Sequence, residues 1–172
     1  MRRDLRLPPD GAGALGDEDL VWAVTAPAFE AADIYGTPEE LDETLLLLTP
    51  GQRALLAIHW CVSEVCNGGF DQFFANSTGI LAAEALDGFR RVGATEYAAI
   101  VTEAMNVFEG GVVPLDREGR NRQLDSGADE TSSILSKLDD RFYVDLESLT
   151  AIRAEYVRAH LDEFVRAPDP TA

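Results

Sequence analysis

The sequence predicts an all-α protein, an irregular helical bundle in a single domain. Three observations predict it. First, one helix-opening pattern occurs twice, at Thr37-Pro38-Glu39-Glu40 and Thr49-Pro50-Gly51-Gln52. In it Thr can cap, Pro suits the first turn, and Glu or Gln can reach back to close a capping box. Second, apolar residues recur three and four apart, as in Tyr97, Ile100, Val101, Ala104, Met105 and Phe108, which is the stripe of a helix packed on a core. Third, no segment alternates in the manner of a half-buried strand, and no internal repeat is apparent. At 172 residues, 46% of them apolar, the chain is the length of one domain and can bury well over half of its unfolded surface.

Residues 1–16, with Pro8-Pro9, Gly11, Gly13 and Gly16, read as a flexible N-terminal arm. Residues 17–166 form the helical domain, and 167–172, with Pro168 and Pro170, read as a disordered tail. A first helix from about Asp17 to Tyr35 opens on three acids, which suit the positive end of the helix dipole, and Pro27 can kink it. The second helix follows Thr37. The third runs from Thr49 to about Asn67 and is apolar nearly all round, through Leu55, Leu56, Ile58, Trp60, Cys61, Val62, Val65 and Cys66. Such a helix belongs at the centre. Gly68-Gly69 ends it, and Phe70, Phe73 and Phe74 pin a short helix beyond. Asn76-Ser77-Thr78-Gly79 is a turn. Helices follow over about Ile80–Arg91 and Thr95–Phe108, stopped by Gly93 and by Gly110-Gly111 with Pro114. Residues 116–130 are polar and read as partly helical or mobile. Ile134, Leu135, Leu138 and Phe142 mark a short helix, and a last one spans about Leu146 to Val165.

Charge narrows the function. The formal net charge is −17. Residues 7–89 hold fourteen acids and one base, Arg53. A phosphate backbone or an anionic membrane would be repelled, so direct nucleic-acid and membrane binding are not expected, and a basic protein is the natural partner. Solubility, or adaptation to high salt, is the competing explanation. No apolar run reaches the roughly 18 residues of a membrane span. Met1-Arg2-Arg3-Asp4 leads into a Pro/Gly stretch rather than an apolar one, so the expected location is the cytoplasm. Cys61 and Cys66 are five apart and would point about 140° from each other on a helix, so they read as reduced core residues.

The densest chemistry lies between residues 60 and 79. Glu64 is four after Trp60 and three before Asn67, so the three share a helix face. Gln72 and Asn76 are four apart on the next helix. One reading is a polar cluster around the glycine turn that satisfies groups at the helix ends, where about four donors and four acceptors lack partners. The other is a small pocket, binding or enzymatic, with Glu64 as acid or base. No nucleophile accompanies it. His59 and Cys66 share a face but are two ligands where a structural zinc site wants four, so neither metal nor cofactor is expected. A buried, hydrogen-bonded role suits His59 better. No phosphate loop, HExxH or GxSxG segment is present, and no catalytic motif is found.

The segment Glu64-x-x-Asn67-Gly68-Gly69-Phe70-x-Gln72-Phe73-Phe74-x-Asn76-Ser77-Thr78-Gly79 resembles the signature of a bacterial helical family. Much of that family has no assigned function, and its best-known member is an acidic DNA-mimic protein. Leu48-Thr49-Pro50-Gly51-Gln52-Arg53 and Phe108-Glu109-Gly110-Gly111 are similar to it as well, and the likeness covers about residues 38–165. It implies an all-α fold and a protein-binding module occupying the nucleic-acid site of a basic DNA-binding protein. It also implies a homodimer, for which Leu45-Leu46-Leu47-Leu48 is the apolar candidate surface.

Contact residues do not follow from the signature and are taken from charge. Glu39, Glu40, Asp42 and Glu43 fall within two turns of one helix, with side chains three and four apart about 5–6 Å from one another. Glu30 and Asp33 precede them, after Asp17, Glu18 and Asp19. Together these form a candidate surface for a basic partner. The alternative is a solvated helix face in an interaction module of other function.

Overall fold

A computed structural model describes residues 4–167. Among these are eight α-helices, of which α3 is the broken central one: α1 (Asp17–Ala31), α2 (Pro38–Leu45), α3 (Pro50–Ala75), α4 (Ala82–Val92), α5 (Thr95–Met105), α6 (Arg117–Asp125), α7 (Ala128–Phe142) and α8 (Leu146–Ala159). The only β feature among the described residues is an isolated bridge between Leu7 and Val165.

Both helix-opening patterns do what their chemistry predicts. Thr37 Oγ1 accepts from Glu40 N, and the Glu40 carboxylate accepts from Thr37 N at 2.8 Å. At α3 the Thr49 hydroxyl accepts from Gln52 N, and Gln52 Oε1 accepts from Thr49 N at 3.1 Å. Each box satisfies two donors a helix start would otherwise leave free.

α3 is the hub. It packs against α1, α4, α6 and α7, while α5 lies on α4 and α7, and α8 closes over α1. Leu55, Leu56, Ile58, Cys61 and Val65 are fully or almost fully buried along it. Beyond the break, Phe70, Phe73 and Phe74 have no exposed surface. Phe70 meets Phe142 edge-on at 5.3 Å, and Phe74 meets Phe108 at 5.0 Å. Those ring contacts tie the second half of α3 to α7 and to the segment after α5.

Three expectations change. The N-terminal arm is not loose over its described part. Leu5 is buried, Gln52 Nε2 donates to Leu5 O, Leu7 N donates to Phe164 O, and Arg166 N donates to Leu7 O. The prolines and glycines fold it into turns, as where Gly11 N donates to Pro8 O, while Leu5 carries it onto the core. The expected tail lies outside the described residues but for Ala167. Cys66 is exposed, unlike Cys61, and both thiols are free; α3 has turned its Cys66 face to solvent two residues before the break. The polar stretch after residue 116 is ordered as α6, started by Asp116 accepting from Gly119 N. The helix that follows is a full 15 residues rather than short.

The break itself needs glycine. Gly68 sits at φ −159, ψ 24 and Gly69 at φ 77, ψ 179. Only a residue without Cβ takes the second freely. A Cβ on Gly69 would also collide with the Asp139 carboxylate. Gly93 has φ 85 but nothing within 4 Å of a built Cβ. Gly69→Ala should therefore cost about 2 kcal/mol or more, and Gly93→Ala about 1 kcal/mol. Urea unfolding of the two variants side by side measures this, and equal losses would show that Asp139 imposes nothing on Gly69.

Candidate functional site

The polar residues of the signature assemble at the break in α3. Glu64, one turn before it, accepts at Oε2 from Gln72 Nε2 at 2.6 Å and from Asn76 Nδ2 at 3.0 Å. Its Oε1 accepts from the Thr78 hydroxyl at 3.1 Å. One carboxylate thus holds the first half of α3, the second half and the turn beyond. Hydrogen bonds to a charged acceptor are the stronger kind. Asn67 takes no part in these bonds and is exposed; it stands at the very edge of the break, turned to solvent. Thr78, which is buried, completes the cluster in its place. Trp60, one turn before Glu64 on the same helix, takes no part in these bonds either. It stacks on Phe29 of α1 at 5.0 Å.

Two side chains from outside the segment finish the break. Asp139 of α7 accepts from Phe70 N at 2.8 Å, capping the restarted helix as an N-terminal acid should. Arg120 of α6 is almost wholly buried. It donates from Nε to Phe74 O at 2.7 Å, from Nη2 to Asn76 O at 2.8 Å, and from Nη1 to Pro114 O and Leu115 O. The guanidinium closes the carbonyl end of the restarted helix, which lacks intrahelical donors. A Cβ on Gly79 would stand 2.6 Å from Phe74 O and 2.7 Å from Arg120 Nε. That packing accounts for the glycine at the end of the signature. Sequence spacing gives no hint of Arg120 or Asp139, which lie 46 and 69 residues from the groups they satisfy.

Glu64, Gln72 and Asn76 are half-buried and already bonded to one another. Five surface clefts are lined by other side chains, none by Glu64, Gln72 or Asn76. His59 is half-buried among Trp22, Phe29 and Trp60, with ring centroids 5.2–6.0 Å away. Its environment is aromatic contact rather than the expected hydrogen bonding, and burial lowers its pKa.

The acidic residues divide. Asp17 is paired with Arg158 at 2.8 Å. Glu18, Asp19, Glu30, Asp33, Glu39, Glu40, Asp42 and Glu43 are exposed, and none joins an ion pair among the described residues. Asp19 and Glu30 stand near opposite ends of α1, about 16 Å apart along its axis. The nine acids are thus not one row. The dense part is on and just before α2, where Glu39, Glu40, Asp42 and Glu43 crowd two turns. Leu45 and Leu48 of the leucine run are buried, while Leu46 and Leu47 are exposed.

Fold and surface together define an acidic helical domain whose signature residues join the two halves of α3 and whose first two helices carry exposed acids. A family model described as DMP19-like protein matches residues 47–160. The chain belongs to the DMP19-like family. The match takes in α3 to α8 and every signature residue, and it leaves α1, α2 and the segment joining them, with all nine acids, outside. No curated protein and no solved structure matches the chain. No helix among the described residues is long and apolar enough to cross a membrane.

Two measurements test this account of the break. Lys offers three donors on a point charge and cannot serve four carbonyls set in a plane. Arg120→Lys should cost about 2–4 kcal/mol in urea unfolding, and Arg122→Lys, at an exposed position, less than about 0.5 kcal/mol. Equal losses would remove Arg120 from the scaffold. The second concerns Asp139, whose carboxyl is raised above its ordinary value by burial, against the Phe70 N–H bond and with Asp140 and Asp71 adding to the rise. A raised carboxyl holds its proton more tightly folded than unfolded. Its contribution to stability therefore falls as pH climbs from the ordinary carboxylate range through the raised folded value. Asp139→Asn keeps an acceptor and removes that slope. Unfolding at a series of pH values should show the variant gaining on the parent through that window, and a constant difference would contradict it.

Proposed function

We propose that this protein is a binding module that imitates nucleic acid and occupies the DNA site of a basic protein. The observation that carries the reading is the set of exposed, unpaired carboxylates on α1 and α2, with no Lys or Arg anywhere in residues 7–46. Membership of the DMP19-like family supports it, because the best-known member is an acidic DNA mimic. Density supports it too. Glu39, Glu40, Asp42 and Glu43 lie along about 6 Å of helix axis, a linear charge close to the one per about 1.7 Å of duplex DNA. Like charges three and four apart cost a helix a few tenths of a kcal/mol per pair. The capping box and the burial of Leu41 and Leu45 hold α2 together against that repulsion. Glu64 supports a structural rather than catalytic reading, since three donors already fill its carboxylate.

The test is a charge-removing variant that keeps shape. Glu39→Gln, Glu40→Gln, Asp42→Asn and Glu43→Gln are combined. Gln at position 40 can close the capping box as Gln52 does at α3, so the fold should survive. A basic DNA-binding protein retained by the parent at low salt should be displaced from the parent by DNA. The variant should bind it at least about tenfold more weakly, and raising salt should shrink the difference. A variant that competes with DNA as well as the parent would move the mimic surface elsewhere. Failure to retain any basic protein at low salt would leave the acidity as a solubility feature.

A further inference from the structure

Two guanidinium groups are drawn into the body of this protein, and they are used differently. Arg120 spends its donors on four carbonyls. Arg153, on α8, makes one side-chain hydrogen bond, from Nη2 to Thr150 Oγ1 at 3.0 Å. Its Nε is buried without a partner. No carboxylate comes within 4.0 Å of it among the described residues. In a chain with 31 acids and 14 bases, a sheltered arginine left without an acid is unusual, because leaving donors unmade in a low-dielectric setting is costly.

Arg153 lines a cleft of about 270 Å³ between α1, α3 and α8. Trp22 lines it from α1 and is 47% exposed, although its ring is one of the largest apolar surfaces in the chain. The His59 ring lies 5.4 Å from it, tilted by 40°. Burial, and then the Arg153 charge, hold the His59 pKa below its ordinary value. The imidazole is therefore neutral at pH 7, and Arg153 is the only cation of the cleft lining. Ser63 adds an exposed hydroxyl, and Glu18 adds one negative charge.

We propose that this cleft binds a small aromatic monocarboxylate, its carboxylate on Arg153 and its ring against Trp22. A guanidinium fork matches a planar carboxylate with two parallel hydrogen bonds, and free donors on Arg153 are available for them. An indole half open to solvent gives a ring somewhere to pack. The volume is below the range of about 300–1,000 Å³ usual for drug-sized ligands, so one ring or a fused pair is the size that fits. Glu18 sets the charge limit: a second carboxylate would face it. The site is independent of the carboxylate surface on α2.

Benzoate and indole-3-carboxylate titrated into the full chain test this, read by calorimetry and by tryptophan fluorescence. Saturable binding of either is expected. Benzamide, which keeps the ring and loses the charge, should bind at least about tenfold more weakly, and phthalate should bind more weakly than benzoate. Arg153→Gln should weaken benzoate by about the same factor, while Arg90→Gln, at an exposed arginine, should leave it unchanged. Should Arg153→Gln fail to fold in a thermal melt, Ser63→Trp replaces it. That exposed position tolerates a large side chain that fills the cleft, and calorimetry should then show no benzoate binding. Absence of saturable binding by both carboxylates would overturn the proposal. So would benzamide binding as well as benzoate, or a folded Arg153→Gln or Ser63→Trp variant that binds like the parent.

Discussion

The break at Gly68-Gly69 is the constraint on which the rest of the molecule depends. A straight helix of 26 residues would run about 39 Å, longer than the body of a domain this size needs. Breaking it lets the second half fold back and bury Phe70, Phe73 and Phe74 on one side of the core. A break frees backbone N–H groups on one side and carbonyls on the other, which no longer find partners along the helix. Each set has its own side chain. Asp139 takes the freed N–H of Phe70, and the Tyr143 hydroxyl donates to Val65 O at 2.6 Å; Arg120 serves the carbonyls of Phe74 and Asn76 where the second half ends. Glu64 then ties one limb to the other. α6 and α7 are held in place as much by these polar duties as by their apolar faces.

How much of this was legible in the sequence follows from how local each signal is. The capping boxes at Thr37 and Thr49 are contained in four residues each and read directly. The glycine break and the aromatic triplet after it are equally local. The Glu64 cluster was half legible, since the spacing puts Glu64, Gln72 and Asn76 on facing turns. It could not show that Thr78 would close the cluster and Asn67 would not, because that depends on the rotation imposed by φ 77 at Gly69. Asp139 and Arg120 carried no signal. Each looks like an ordinary charged residue of a polar helix, and only the fold brings it to a backbone end. The N-terminal arm misled for the same reason: Pro8, Pro9 and three glycines announce turns, but whether turns are loose or docked is decided by Leu5 and by the edge that residues 164–166 offer.

The division of labour between scaffold and charge has a physical basis. Family likeness spans residues 47–160, where Glu64, Asp139 and Arg120 each satisfy groups far from them in the chain. A change at Glu64, Asp139 or Arg120 leaves a partner unsatisfied in the interior, at a cost of several kcal/mol. The acids of α1 and α2 have no such partners. Glu39, Asp42 and Glu43 can change with little consequence for the fold, since surface substitutions are usually within about 0.5 kcal/mol. A binding surface placed there can be tuned to a partner without disturbing the helices that carry it.

A net charge of −17 also acts on the folded state as a whole, because self-repulsion favours expansion. The chain offsets it by position rather than by neutralisation. Asp17, Glu18 and Asp19 open α1, Glu39 and Glu40 open α2, Asp129 and Glu130 open α7, and acids in a first turn gain from the helix dipole. The few bases are placed where one charge does most: Arg158 fixes α8 to the start of α1 through Asp17, and Arg141 ties α7 to α5 through Glu103. What remains uncompensated is concentrated at α2 and its approach. That segment has the shortest α-helix of the fold and no base within it. Repulsion there is left to solvent and counterions, whereas α4, α6 and α8 each carry bases beside their acids.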